Sequence, residues 1–562
     1  FTRIYIFRPS YLMYDNLSEA RGSNAAMTNL QTENIATYNV PLPQEHKLEL
    51  MAGVTYNYDL MQTIGGWAKG GPTNQVKYVG EGWPSLLKDI SGEAKPARSF
   101  DSNKEDQAML SFLGRAAYGY KKKYLGEFSV RRDGSSVFGS NVRWGTFPSV
   151  GLGWAFSEER FMKKLWWLSF AKLRASWGRS GQKFQEPYLA LGVLSETDVF
   201  DGNAGLIPAQ MSNPHLTWEK SDQYDLGLDL QVLDYRLKFK LDYYYKYSSN
   251  LLMQKYLPGN FFYTDKVWDN ISAISNEGVE FEVQADLIRS KDLNLSVGLN
   301  VSHNRNLFRK THNGEDLNDK VLGRPVYGIY TFQDEGIVKD ESEIPYHYSQ
   351  TGARLPLYFG NPNYPLRVGG RKIKDQNMDG KIDNSDLYYA GSTLPTAYGG
   401  INGHLDWKGF NVDVLFSYVL GRKVMNMVQN SAFSFNKTVN PLMGHFRANE
   451  YWSKDNPNAK KPALEFADPG YLGHFDGNVD SNIENISFLR LKQLVLGYTL
   501  PATWFKSKFI KSVNVYLSGE NLFMLTNYSG LDPEVIDPYT GKDDGSQYPL
   551  NRKLTLGINV KF

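Results

Sequence analysis

The feature that most constrains this fold is a two-residue rhythm. From Leu293 to Ser302 the chain reads LNLSVGLNVS, with Leu or Val at every odd position and Asn, Ser or Gly at every even one. Successive side chains of an extended strand point to opposite faces, so the segment has one apolar face and one wet face. The rhythm returns in YDLGLDL (224–230), LKFKLDY (237–243), VNVYL (513–517) and LTLGINVKF (554–562). About fifteen or sixteen such segments, many of about ten residues, run through the chain and far outnumber helical patterns.

Several of them pair as hairpins. Tyr118–Tyr120 and Tyr124–Val130 flank a KKK turn, and HLDWKGFNVDVLFSY, from His404, turns at Lys408-Gly409. Between the strand pairs lie tracts rich in Gly, Asn, Asp, Pro and Tyr, at roughly 57–107, 178–221, 303–397, 420–487 and 521–552, which read as long loops. Short turns at one end and long loops at the other describe an all-β, antiparallel transmembrane barrel with long extracellular loops.

Alternation alone does not separate a face turned to lipid from one turned to a core. A β-sandwich series and a β-rich glycan-binding protein therefore stay open, and so does a glycosidase. Aromatic residues at strand ends, such as Tyr118, Tyr120, Tyr243–Tyr245, Trp407 and Tyr418, favour lipid, because such rings sit at headgroup level. Mean hydropathy is −0.45 and no apolar run is long enough for a membrane-spanning helix. A strand crosses with one face polar, so its average hydropathy stays low.

Several chemistries find no support. The 62 basic and 60 acidic residues nearly cancel, so nothing draws the chain to nucleic acid. Without cysteine there is neither a disulfide nor a thiolate metal site. The eight histidines are scattered, and no nucleotide loop, zinc motif or nucleophile elbow occurs in a fitting context. Glu158 and Glu159 are adjacent, and adjacent carboxylates on a strand point apart instead of converging across a cleft. The expectation is a protein that is not an enzyme.

One stretch breaks the strand pattern with a chemistry of its own. In DQNMDGKIDNSD, residues 375–386, side-chain oxygens fall at positions 1, 3 and 5: Asp375, Asn377 and Asp379. Gly380 stands at position 6, where the backbone must turn sharply, and Lys381 offers a carbonyl at 7. Asp383 and Asp386 occupy positions 9 and 12. This is the ligand spacing of an EF-hand loop, with Asp in place of the bidentate Glu, and without flanking helices. The expectation is a structural Ca²⁺ that orders an extracellular loop. Loop aromatics (Trp67, Trp83, Phe261, Phe262, Tyr263, Tyr358, Phe359 and Tyr471) form the pool from which sugar contacts would come; none is assigned individually.

An ordered series of phrases goes further than alternation. RRDGSSVFG (131–139), FPS (147–149), GW (153–154) and SEERF (157–161) are followed by KLRASWG (172–178) and LTWEKSDQYDLGLDL (216–230). Then come NEGVEFEV (276–283), FLRLKQLVLGYTLP (488–501) and YLSGENLFMLTNYSGLDPE (516–534). From about residue 45 to 562 the series resembles the barrel part of SusC/RagA-type TonB-dependent transporters of the Bacteroidetes outer membrane. The resemblance implies a barrel of about 22 strands, an N-terminal plug in its lumen, and a segment that engages TonB. It also implies a SusD-like surface lipoprotein as lid, and import of oligosaccharides or, in some members, peptides. Relatives often carry a DxNxDGxID stretch like that at 375–386.

Residues 1–562 account for the barrel alone. The chain opens FTRIYIFRPS, with no Met, basic leader or cleavage site. Unpaired strand edges are prohibitive in lipid, so a companion segment or chain is expected to bring the plug and first strands. The functional expectation is active outer-membrane import of a bulky nutrient, oligosaccharide before peptide. A passive porin or an outer-membrane anchoring protein is the alternative.

Overall fold

A computed structural model describes residues 2–6, 19–70, 84–88, 94–200, 203–257, 266–317, 320–349, 351–359, 362–363, 365–428, 450–463, 478–504 and 509–562. The chain divides into two compact units. One comprises Phe1–Leu152, Ser176–Asp222 and Ser248–Ser272; the other comprises Gly153–Ala175, Gln223–Tyr247 and Ala273–Phe562.

The first unit is built on a meander of four strands: β1 (Glu19–Val40), β2 (His46–Lys69), β3 (Arg98–Tyr120) and β4 (Tyr124–Ser135). Each is antiparallel to the next in an unbroken register, from Glu19 opposite Lys69 to Tyr120 opposite Tyr124. The second unit continues the same logic through the greater part of β5 (Lys266–Arg289, from Ala273 on) and through β6 (Leu293–Lys310), β7 (Ala397–Trp407), β8 (Phe410–Asn426), β9 (Ile483–Thr499), β10 (Ser512–Glu520) and β11 (Lys553–Lys561). Neighbours in that sequence pair antiparallel from β5 through to β11.

Where the apolar face points decides between lipid and core. On β11 the alternating residues Leu554, Leu556 and Ile558 are 71%, 74% and 64% exposed. On the first unit Leu30, Tyr38, Leu50, Val54, Phe112 and Phe128 are likewise exposed. A β-sandwich would bury this face; water would tolerate it only in patches of a few hundred Å². Hydrocarbon accepts it along the whole strand, which is the arrangement of a transmembrane barrel.

The expected turns are present, and their backbone explains them. Lys408 and Gly409 have φ values of 47° and 93°, the doubly left-handed pair that matches strand twist in a two-residue hairpin. At KKK the left-handed residues are Lys121 and Lys122; the Lys121 amide donates to Glu45 O and that of Lys123 to Tyr120 O. Aromatic rings gather at both turns. Trp407 stacks on Phe410, whose ring lies 4.5 Å from Tyr498, and His46 lies 4.7 Å from Tyr120.

The long loops differ from expectation. The tract 57–107 is largely strand, because β2 runs on to Lys69 and β3 begins at Arg98. Likewise β8 continues to Asn426 and β9 starts at Ile483. Strands of more than about 10 residues overshoot the hydrocarbon. Beyond it both faces meet water, so the two-residue contrast fades and the composition turns loop-like. The phrases SSVFG, FPS and LTW come together in a local core: Phe138 and Phe147 pack on Trp218, at 4.3 and 5.3 Å, and its indole donates to Arg143 O.

This assignment of faces has a direct test. Leu556→Arg is expected to destabilise the protein in lipid vesicles by roughly 2–4 kcal/mol in urea unfolding. Asn559→Arg, on the opposite parity of the same strand, is expected to stay under about 1 kcal/mol. Equal costs at the two positions would refute a lipid-facing β11.

Candidate functional site

The segment between β6 and β7, expected as a loop, is folded. Four small pairings hold it: Gly328–Thr331 with Tyr388–Ser392, Asp334–Ile337 with Arg371–Ile373, Tyr346–Tyr348 with Arg354–Pro356, and Tyr358–Phe359 with Lys381–Ile382. They enclose a core of Phe332, Leu357, Phe359, Leu366, Ile373, Ile382 and Val479. The Tyr388 hydroxyl donates to Asp480 at 2.6 Å; burial first, and then that carboxylate, push it up to about 12.

The acidic stretch lies against this core. Asp375 accepts from the amides of Met378 (2.7 Å) and Gly380 (2.9 Å), which folds the chain over its carboxylate. Met378 and Gly380 are both left-handed, with φ of 60° and 89°. At Gly380 a Cβ would also meet the His347 ring at 2.5 Å, so only glycine fits. Asn377 accepts from the Asp379 amide and Asp379 from that of Lys381. Ile382 then pins the loop by inserting into the core.

The C-terminal part is a reciprocal cap. Asp383 accepts from Ser385 N and Asp386 from Asp383 N, both at 2.8 Å, while the other Asp386 oxygen accepts from Gln376 N. Asp386 is fully buried. Burial pushes its carboxyl up, against the two amides that stabilise its charge. The Lys381 ammonium lies 2.5 Å from Asp383 and 3.6 Å from Asp379. It holds the Asp383 carboxyl down at about 2, with help from Ser385.

The six expected positions thus share one compact turn, but their oxygens are engaged by loop amides and by the Lys381 side chain. Among the described residues no group of three or more His, Asp or Glu is gathered tightly enough to hold a metal. The lysine side chain is the element that spacing did not reveal, since position 7 is read for its carbonyl. Of the loop aromatics, Phe359 belongs to the core and Trp67 lies within β2. Tyr358 pairs beside the acidic loop, its ring 6.2 Å from that of His347. Trp83, Phe261, Phe262, Tyr263 and Tyr471 lie outside the described residues.

Others of the quoted phrases supply charge partners. Arg174 of KLRASWG makes a two-pronged contact with Asp229 of GLDL, at 2.9 and 3.0 Å, and reaches Asp242 at 2.8 Å. Arg179 grips Asp222 the same way. Arg490 and Lys492, from FLRLK, meet Asp532 and Glu534, from LDPE, forty-two residues on. Arg490 and Asp532 are both almost fully buried, at 2.5 Å. Arg422 reinforces the same region by donating to the carbonyls of Thr393, Pro533 and Ile536.

Comparison with known proteins agrees with this architecture. The model of the TonB dependent receptor-like, beta-barrel family matches residues 7–418. The chain belongs to that family. This TonB-dependent receptor-like barrel is 28% identical, over 95% of its length, to TonB-dependent receptor P3 of Formosa agariphila, and covers 52% of that protein. It is 29% identical to TonB-dependent receptor SusC of Bacteroides thetaiotaomicron, over 86% of the chain and 46% of the relative. The solved RagAB peptide transporter superposes with a TM-score of 0.77 at 24% identity, over all of this chain and 58% of that one. The chain spans about half the length of the curated relatives it matches.

Membership places this TonB-dependent receptor-like barrel in the outer membrane and among receptors and transporters, not enzymes. The soluble glycan-binding and glycosidase alternatives fall with it.

The buried Arg490–Asp532 pair carries a prediction. Arg490→Ala is expected to cost roughly 3–5 kcal/mol in urea unfolding, because a buried carboxylate loses its partner. Removing both charges, with Arg490→Met and Asp532→Ala, is expected to recover much of that loss. A single variant as stable as the parent would show the pair to be peripheral.

Proposed function

We propose that this chain forms most of the wall of an importer for a bulky nutrient, gated by a plug and energised through TonB. The observation that carries the reading is the division of faces. Apolar residues such as Leu554, Leu556 and Ile558 of β11 are exposed, whereas charged residues are set in Arg–Asp pairs such as Arg174–Asp229 and Arg179–Asp222. A polar interior within an apolar exterior is what a water-filled transport path through lipid requires.

The relatives are about twice as long, which supports a companion segment that supplies the plug, the first strands and the contact with TonB. A SusD-like lipoprotein lid over the extracellular loops completes the assembly. Oligosaccharide is the preferred cargo, given the Tyr, Trp and amide side chains of the loops. Peptide, the cargo of the RagAB transporter, is the second reading. Uptake of labelled oligosaccharide by cells carrying the full-length parent protein is expected to stop when the proton gradient is collapsed or TonB is deleted. Flux that persists under both conditions would make it a passive porin.

The turn at 375–386 is proposed to take a structural Ca²⁺. Asp375, Asn377, Asp379, the Lys381 carbonyl, Asp383 and Asp386 would hold it, once the Lys381 ammonium swings away from Asp379 and Asp383. Four carboxylates against one ammonium leave the turn with surplus negative charge. Its left-handed Gly380 and the inserted Ile382 fit a loop that winds round a cation. The ion would supply charge neutralisation and loop order, not catalysis. Calorimetric titration of the detergent-solubilised parent with CaCl₂ is expected to give a Kd of about 10⁻⁴–10⁻³ M, the range of extracellular modules. Asp379→Asn is expected to weaken it about tenfold; absence of binding at tens of millimolar Ca²⁺ would sink the assignment.

A further inference from the structure

Between the folded excursion and the outer ends of β8 and β9 lies a cavity of about 780 Å³. It is contributed by the Asp334–Glu343 segment, Arg371 and Lys372, Asn426, the 451–461 segment, and Ser481, Asn482, Glu484 and Ser529. Its size falls within the ~300–1,000 Å³ of ligand clefts.

The charges lining it are unequally committed. Asp334 is bound by Arg371, by the Ser481 hydroxyl and by Gly336 N. Glu343 accepts from Lys339 N, and Glu484 accepts from Asn426, from Ser529 N and from the Ser529 hydroxyl. Arg371 is thereby spoken for, and Lys461 pairs with Glu450 while lying over the Tyr451 ring. Three further ammonium groups, those of Lys339, Lys372 and Lys460, also line the cavity. Among the described residues none of the three makes an ion pair, although Lys339 stands next to Asp340 in the chain. Of the described lining carboxylates, only Glu335 is similarly uncommitted.

We propose that this cavity is a binding site for the acidic groups of an anionic oligosaccharide, carboxylated or sulfated. The proposal rests on the oligosaccharide reading above and narrows it. Three uncommitted ammonium groups against one carboxylate favour an anion, and charge-assisted contacts to Lys are among the stronger hydrogen bonds. Hydroxyl and amide groups of Ser481, Asn482 and Ser529 suit a hydroxyl-rich ligand. The apolar side chains that line it are Ile337, Ala459 and the covered Tyr451, and most of the other lining side chains are charged or carry hydroxyl or amide groups.

The test is a titration of the detergent-solubilised parent protein with four probes: hexagalacturonate, a sulfated dextran oligomer, maltohexaose and hexaglutamate. An acidic sugar is expected to bind at least about tenfold more tightly than maltohexaose, with an affinity that falls as NaCl is raised. Combining Lys339→Gln, Lys372→Gln and Lys460→Gln is expected to remove that preference, whereas Lys372→Arg alone preserves it. Lys122→Gln, in a hairpin turn of the other unit, is expected to change nothing. Heat-modifiable migration in gels shows that each variant remains folded. Equal binding of acidic and neutral sugars, or an unaltered preference in the triple variant, overturns the acidic site and leaves glycan import standing. Hexaglutamate bound while no sugar binds overturns both readings, and no binding of any probe overturns the site.

Discussion

Backbone hydrogen bonding in hydrocarbon governs this molecule. Lipid offers no partner to an unpaired N–H or C=O, so every residue that crosses must be satisfied by a neighbouring strand. Within the membrane that requirement accounts for the unbroken registers of β1 through β4. It also explains the tight turns. Lys408-Gly409 and the KKK hairpin reverse the chain with the fewest residues that leave the ladder. Once pairing is obligatory, side chains are free only to choose a face, and the two-residue rhythm follows.

On the polar face the structure sets charges in pairs. Arg174 with Asp229 and Asp242, and Arg179 with Asp222, are two-pronged contacts across strands, the strongest geometry a guanidinium offers. In the middle of β9, Arg490 and Lys492 draw in Asp532 and Glu534, and Arg422 donates to four carbonyls nearby. These contacts tie the segment after β10 to the barrel wall. Several of the short phrases quoted from the sequence thus supply halves of ion pairs or members of the Trp218 core, which is a physical reason for their residue types.

Outside the membrane the constraint reverses, because water satisfies any free backbone group and irregular structure becomes tolerable. The excursion between β6 and β7 uses that freedom to fold small sheets around Phe359, Ile373 and Ile382. The acidic turn is built onto that core through Ile382, so its position is set by apolar packing while most of its oxygens remain near the surface. Lys381 balances part of its charge. The cavity lined by Lys339, Lys372 and Lys460 differs in sign: apart from Glu335 its described carboxylates are taken up by neighbours, and these three lysines make no ion pair among the described residues.

Alternation, hairpin turns and the spacing of Asp375, Asn377, Asp379 and Gly380 were legible in the sequence, because each depends on residues close to one another in the chain. Face preference is a local property of an extended chain. The overshoot of β2 to Lys69 and of β3 from Arg98 was not legible, since beyond the membrane neither face has a preferred composition. Nor was the core of the excursion, whose members run from Phe332 to Val479. By itself the sequence determined the strand rhythm, the apolar face and the acidic turn. Only the tertiary structure decided that Arg490 meets Asp532, that Lys381 lies between two carboxylates, and which of the described lysines line the cavity without an ion pair. Those outcomes depend on register and on chain segments brought together from far apart, and no local pattern encodes them.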